Sequence, residues 1–193
     1  MSRRDEVLQA ALDLLDEVGL DALTVRRLAE RLAVQPSALY RHFHSKQALL
    51  DAMVASVLTA GPEPAPVDAD WDRVLHRTAV RTRAAMLTHR DGARLLITHL
   101  IPEAGTGNGP AQQSWANILT VLPAGTSADT AMIVVDTLFA YVNGFTMEEQ
   151  ARDGFPQPPA RRAWRDERFR AGLDLIIAGI ETTLRAAGQR PRD

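Results

Sequence analysis

The chain has 193 residues, 46% of them apolar, with 22 lysines and arginines against 24 acids and no cysteine. That length suffices for one sizeable core or two closely packed domains; the missing cysteines exclude disulfides and cysteine-ligated zinc or iron–sulfur sites, and a formal net charge of −2 confines any contact with DNA to a local patch. The N-terminus turns acidic and amphipathic within a few residues and no apolar run approaches membrane-spanning length, which points to a cytoplasmic chain without signal peptide or anchor.

Val7, Ala10, Ala11, Leu14, Leu15 and Val18 recur at helical spacing, and Gly19 ends the run as a C′ residue. The outer face of this first helix holds Asp5, Glu6, Asp13, Asp16 and Glu17, acids expected to point away from DNA, so only Arg3 and Arg4 are left to reach phosphate. Thr24 is a good N-cap for a short second helix with Val25, Leu28, Ala29 and Leu32 inward. Ala33, Val34 and Gln35 break the pattern, and Pro36, tolerated in a first helical turn, starts a third helix that carries Leu39 and Phe43 inward. The two together read as a helix-turn-helix.

Between Thr24 and Gln47 the cations Arg26, Arg27, Arg31, Arg41 and Lys46 face a single acid, Glu30, an excess that attracts phosphate. Pro36 to Phe43 is predicted to enter the major groove. The predicted DNA-contacting set is Thr24, Arg26, Pro36, Ser37, Ala38, Tyr40, Arg41, His42 and Lys46, with Arg41 reading a guanine and Lys46 on phosphate.

A fourth helix is expected from Ser45 through Leu49, Leu50, Met53, Val54 and Val57. The proline-rich run from Gly61 to Asp70 is a boundary, and Asp70 can cap a long helix from Trp71 to Thr88 that puts Val74, Leu75, Thr78, Thr82, Ala85 and Met86 on one side and Arg73, Arg77, Arg81 and Arg83 around the rest. His89 to Gly92 makes a turn, Ala93 to Ile101 a short apolar segment, and Pro102 to Pro110 a loop whose glycines lack the strand and lysine of a phosphate-binding loop. A helix from Pro110 to Leu122 follows, then an apolar helix from Ala128 as far as Asn143 and Gly144. After a proline-broken loop from Arg152 to Arg162 comes a last helix from Glu167 to Ala187, in which Gly172 and Gly179 permit close approach. Two apolar C-terminal helices suggest isologous pairing with a second copy, through a face that includes Ile176 and Ile180.

The wording of the helix-turn-helix, LTVRRLA, AVQPS, ALYRHF and SKQALL, resembles the N-terminal domain of the TetR family of transcriptional regulators, and ALLDAM, THRDGAR, NGFTMEEQ and LDLIIAGIE are similar to its tetracycline-repressor subgroup. The resemblance implies an all-α homodimer: a three-helix helix-turn-helix DNA-binding domain over residues 1–46, and a helical effector-binding and dimerisation domain over 47–193 in which 47–60 is a connecting helix. It further implies a repressor that leaves a palindromic operator when a small molecule binds. The partners are then double-stranded operator DNA, a small-molecule effector and a second copy, with no cofactor, metal or membrane. The subgroup's drug-contacting positions look like Pro62, Thr78, Thr82 and Leu95 or Leu96, none of which supplies the histidine, asparagine and phenylalanine chemistry that holds magnesium–tetracycline. The expected effector is therefore an apolar or mildly polar organic molecule in a pocket lined by Thr78, Thr82, Met86, His99, Asn117, Met132, Val135 and Phe139, with Glu148 at the family's acidic position.

Other constellations point elsewhere only weakly. The His89-Arg90-Asp91 triplet lacks the glycine-rich strands and DFG of a kinase, no local signature places a serine beside a base, and His76, His89 and His99 lack metal-site spacing. The chain is expected not to be an enzyme. The alternative is a helical small-molecule-binding protein or enzyme in which the helix-turn-helix is structural.

Overall fold

The computed structural model describes residues 2–59, 70–99 and 118–188, and every regular element among them is helical. The expected linker before Asp70, Pro62 within it, the glycine-containing loop, Trp115 and Asn117 lie outside the described residues. Helix α1 (Arg3–Val18) opens on a capping box: the Ser2 hydroxyl accepts from the Asp5 N–H and the Asp5 carboxylate accepts from the Ser2 N–H. Gly19 ends the helix at φ 77°, its N–H donating to the Leu15 carbonyl at 2.8 Å. Helix α2 (Val25–Arg31) is capped by the Thr24 hydroxyl, which accepts from the Arg27 N–H. Ala33, in the left-handed region at φ 50°, then turns the chain into α3 (Pro36–Leu39).

Helix α3 is only four residues long. Beyond it the chain runs on in turns, and the Phe43 N–H still reaches the Leu39 carbonyl at 3.0 Å, so Leu39 and Phe43 are both buried as expected. Ser45 sits at the start of α4 (Lys46–Thr59), where its hydroxyl accepts from the Ala48 N–H.

Helix α5 (Trp71–Met86) starts at Asp70, but the expected side-chain cap is not made; only the Asp70 carbonyl accepts, from Val74. Helix α6 (Gly92–His99) follows a tight turn, and residues 118–121 are helical. Helix α7 (Ala128–Asp153), capped by the Ser127 hydroxyl, continues through Asn143 and Gly144, where the apolar pattern suggested a stop. A glycine costs a helix interior about 1 kcal/mol, and the buried stripe of Leu138, Val142, Thr146 and Glu149 carries the helix past it. Helix α8 (Pro159–Gly188) begins well before the expected Glu167, with Pro159 in the first-turn position that proline tolerates.

Helix α1 packs on α2 and α4; α4 in turn packs on α5 and α6, and α5, α7 and α8 pack on one another. Leu75, Met86, Leu95, Leu96, Leu138, Phe169 and Leu173 form the fully buried centre of the larger half. Gly172 allows α7 and α8 to approach there. A Cβ on it would lie 2.3 Å from the Tyr141 hydroxyl, which donates to the Phe169 carbonyl at 2.9 Å, whereas Gly179 has open space around it.

Helix α7 is long and apolar enough to cross a membrane by length and composition, with mean hydropathy 1.3 over its most apolar window, against the sequence reading that no such run exists. One side of it is committed to α5, α6 and α8. Its other side leaves Met132, Ile133 and Met147 exposed, and α8 leaves Leu175 77% exposed. Ile180 is buried and Ile176 half-buried in the core, so Leu175 is the residue that marks the outer face of α8.

Candidate nucleic-acid interface and the joint behind it

The helix-turn-helix offers a surface whose polar groups are largely uncommitted. Pro36, Ser37, Tyr40, Arg41 and Lys46 are exposed, Ala38 and His42 are half-buried, and none of these side chains takes part in a described ion pair. Tyr40 stands half exposed beside a core made by Val7, Leu28, Leu39 and Phe43, so an aromatic ring is presented outward on a rigid base. Thr24 and Arg26 are exposed as well, but Thr24 is occupied as a cap and Arg26 pairs with Glu30 at 2.9 Å.

The remaining cations of the cluster are engaged internally. Arg27 donates to the Ala22 carbonyl at 3.2 Å. Arg31 reaches back to Glu17 of α1 at 2.7 Å, a hydrogen bond that raises its pKa further. Arg4, expected to be free for phosphate, lies over the Phe43 ring at 4.8 Å. The surface therefore concentrates on one short segment, and its charge rests on Arg41 and Lys46.

Behind this surface lies a polar joint that the sequence reading treated only as a turn. Met86 to Gly92 leads from α5 into α6, and His89, Arg90 and Asp91 within it each bond to the end of α1 or the loop after it. His89 Nδ1 lies 2.9 Å from the Asp16 carboxylate, whose other oxygen accepts from the Arg90 N–H at 2.8 Å. The Arg90 guanidinium donates to the Glu17 carbonyl, the Asp91 carboxylate accepts from the Leu20 N–H at 2.8 Å, and Arg94 pairs with Asp21 at 2.5 Å. Asp16, expected on a free acidic face, is thus consumed in holding the two halves together, while the Glu17 carboxylate is spent on Arg31 of α2.

The same turn is clamped from the opposite side by Gln150 of α7. Its amide donates to the Met86 and His89 carbonyls at 3.2 and 2.9 Å and its oxygen accepts from the Ala93 N–H at 2.9 Å. Only glycine fits at position 92, because a Cβ there would lie 2.1 Å from the Met86 carbonyl oxygen. His99, at the far end of α6, meets α4: Gln47 donates to its Nδ1 at 2.8 Å, and burial holds this histidine below its ordinary pKa.

In the larger half the expected effector-lining residues divide. Thr82 and Met86 are buried and Thr78 half-buried on α5; Val135 is buried, Phe139 half-buried and Met132 exposed on α7. His99 faces α4, and Asn117 lies outside the described residues. Glu148 is exposed and pairs with Arg152 at 3.1 Å, while its neighbour Glu149 is completely buried.

Glu149 anchors a network that composition and spacing did not reveal. Arg83 donates to both its oxygens at 2.8 and 2.9 Å and to Asp166 at 2.6 Å, with its guanidinium 4.9 Å from the Phe169 ring centre. At the C-terminal end of α7, Asp153 receives Arg165 at 2.6 Å and Arg161 at 2.8 Å, and the Arg165 hydrogen bond holds its carboxyl below the usual range. No three His, Asp or Glu side chains come together in a metal-binding cluster among the described residues.

Comparison with known proteins adds to this geometry. Residues 7–53 match the model described as bacterial regulatory proteins, tetR family, and residues 63–165 match the tetracyclin repressor-like C-terminal domain. The class A tetracycline repressor protein from transposon 1721 of Escherichia coli is 38% identical over 197 residues, covering 90% of this chain and 88% of that protein. A TetR variant from Acinetobacter baumannii AYE, solved in complex with minocycline, superimposes with a TM-score of 0.74 at 36% identity, over 95% of this chain and 98% of that one. BioQ, solved with its double-stranded DNA operator, gives a TM-score of 0.74 at 30% identity, over 93% and 98%.

Proposed function

This chain belongs to the tetR family of bacterial regulatory proteins, and from that premise we propose that it is a cytoplasmic repressor of its own operator, released by a small organic effector. The observation that carries the reading is the outward surface of α3 and the turn after it, where Ser37, Tyr40 and Arg41 are exposed beside Lys46 without internal ion pairs. Pro36 to Phe43 enters the major groove, Arg41 reads a base edge and Lys46 positions the domain on phosphate. Thr24, Arg26, Ala38 and His42 complete the contact set. Residues 1–46 form the reading domain, and α4 connects it to the effector domain that follows.

Two copies pair through the exposed face of α7 and α8, where Ile133, Met147 and Leu175 otherwise leave apolar surface in water. A palindromic operator follows from that two-fold symmetry. Thr78, Thr82, Met86, Val135 and Phe139, with Met132, His99, Asn117 and Glu148 at its margins, line the effector pocket. Minocycline is the ligand in the Acinetobacter relative, but Thr78, Thr82 and Leu96 supply neither the amide and aromatic contacts nor the histidine metal ligand that magnesium–tetracycline requires, so this pocket takes a less polar molecule.

The test is a gel shift on DNA flanking the chain's own gene, followed by titration of candidate organic compounds and of tetracycline with magnesium. Specific retardation, reversed by an organic compound and not by magnesium–tetracycline, supports the reading. Binding no tighter than to unrelated duplex contradicts the operator claim, and tight magnesium-dependent release by tetracycline contradicts the effector class.

A further inference from the structure

Asn143 Oδ1 is the one buried side-chain nitrogen or oxygen among the described residues that has no hydrogen-bond partner. An acceptor taken out of water and left unpaired is costly, and native structures keep very few of them. Its place on α7 shows what it is for. Asn143 lies seven residues before Gln150, close to two full helical turns, and so shares a side of the helix with it. Gln150 reaches the Met86 and His89 carbonyls and the Ala93 N–H, which fixes that side of α7 as the one facing the α5–α6 turn and the start of α6. Phe139, four residues before Asn143 and half-buried, continues the same side.

Two other polar side chains of α7 are spent, Thr146 donating to the Val142 carbonyl and Gln150 using its amide on the α5–α6 turn. Neither end of the Asn143 amide enters any described hydrogen bond. Among the described residues this one acceptor on α7 is left without a partner.

We infer that Asn143 is a specificity-determining residue of the effector pocket: its amide oxygen accepts a hydrogen bond from a hydroxyl or N–H of the effector, an uncharged and largely apolar molecule carrying at least one such donor. This rests on the effector reading given above and narrows it. A site that buries an unpaired acceptor discriminates strongly against the analogue lacking the donor, because that analogue leaves the oxygen unsatisfied in the bound state as well.

The test uses the full-length protein and its Asn143→Leu variant, which keeps the side-chain size and removes the acceptor. In the absence of ligand, the variant is expected to unfold at a higher urea concentration than wild type, since an unsatisfied polar group has been replaced by an apolar one. A lower or unchanged midpoint would overturn the inference, because it would mean that an internal water or neighbour already satisfies the oxygen. The second arm releases the protein–operator complex with phenols and naphthols and with their methyl ethers, pairs that differ only in the donor. Wild type should respond to the hydroxyl compounds at concentrations roughly 5- to 100-fold lower than to the ethers, and Asn143→Leu should abolish that difference. Equal potency of the two series on wild type, or a difference that persists in the variant, would also overturn it. Operator binding that no compound reverses would speak against the effector reading itself, and the urea comparison would still decide the role of Asn143 in the apo protein.

Discussion

Arg41 and Arg83 are the same side chain in opposite situations. Arg41 stands exposed on the outer surface of the helix-turn-helix with no described ion pair, whereas Arg83 is 6% exposed and spends its guanidinium on Glu149, Asp166 and the ring of Phe169. A fully satisfied guanidinium has nothing left to offer a partner, and an unsatisfied one adds nothing to the fold. The charges that read DNA and the charges that hold the protein together are therefore separate sets, and substitutions should separate them.

The largest effect should come from the interior. Arg83→Leu leaves Glu149 buried with only Gln157 as a described partner and removes the described partner of Asp166. Stranding a buried charge in this way costs about 3–5 kcal/mol, to be read as a fall in urea midpoint. An Arg83→Leu protein as stable as wild type would mean that the network is ornamental.

Gly92→Ala comes next, because the added methyl would meet the Met86 carbonyl at the joint between the halves. A backbone clash of this kind should cost roughly 1–3 kcal/mol of stability, measured by thermal melting, and should weaken operator affinity as well, since the turn holds α1 through Asp16 and Leu20. Unchanged operator affinity in a destabilised variant would remove the joint from the route between the two halves.

Arg41→Ala should behave in the opposite manner. Its stability is expected to stay within about 0.5 kcal/mol of wild type, while discrimination at one operator base pair falls by about 1–3 kcal/mol. Competition binding between operator and single-base variants would measure this, and an unaltered base preference would reassign Arg41 to phosphate.

The smallest effect is electrostatic. Burial holds the His99 imidazole below its ordinary pKa, so the neutral form that accepts from Gln47 is favoured in the folded protein. A depressed folded value means that the unfolded chain binds more protons below neutrality; the contribution is present above about pH 6.5 and is lost as the pH falls. His99→Gln should therefore flatten part of the acid side of the stability profile below about pH 6.5, and identical pH profiles would show that His99 is not linked to folding.

The helix-turn-helix was legible almost residue by residue, because Thr24, Pro36, Leu39, Phe43 and Ser45 act through local rules of capping and spacing. The helices of the larger half were legible as periodic runs, but their ends were not. Gly144 reads as a stop and is carried through by packing, and Pro159 reads as loop and begins a helix. Arg83 and Glu149 were missed for a physical reason: both look like ordinary surface charges on amphipathic helices, and only the three-helix arrangement brings them together across 66 residues of sequence. His89 to Asp91 was missed in the same way, since its partners Asp16 and Leu20 lie on another element. Spacing along one helix carries no record of what another helix will present.

The separation of the two charge sets is tested most directly by fluorescence anisotropy on a palindromic duplex selected from random DNA by the protein itself, against a scrambled duplex, over a range of salt. Wild type should prefer the palindrome by roughly a thousandfold or more. Arg41→Ala should shrink that ratio, and Lys46→Ala should weaken both duplexes alike while lowering the salt slope by about 1. Equal affinity for the two duplexes, or a ratio untouched by Arg41→Ala, would contradict the assignment of the exposed α3 surface to reading DNA.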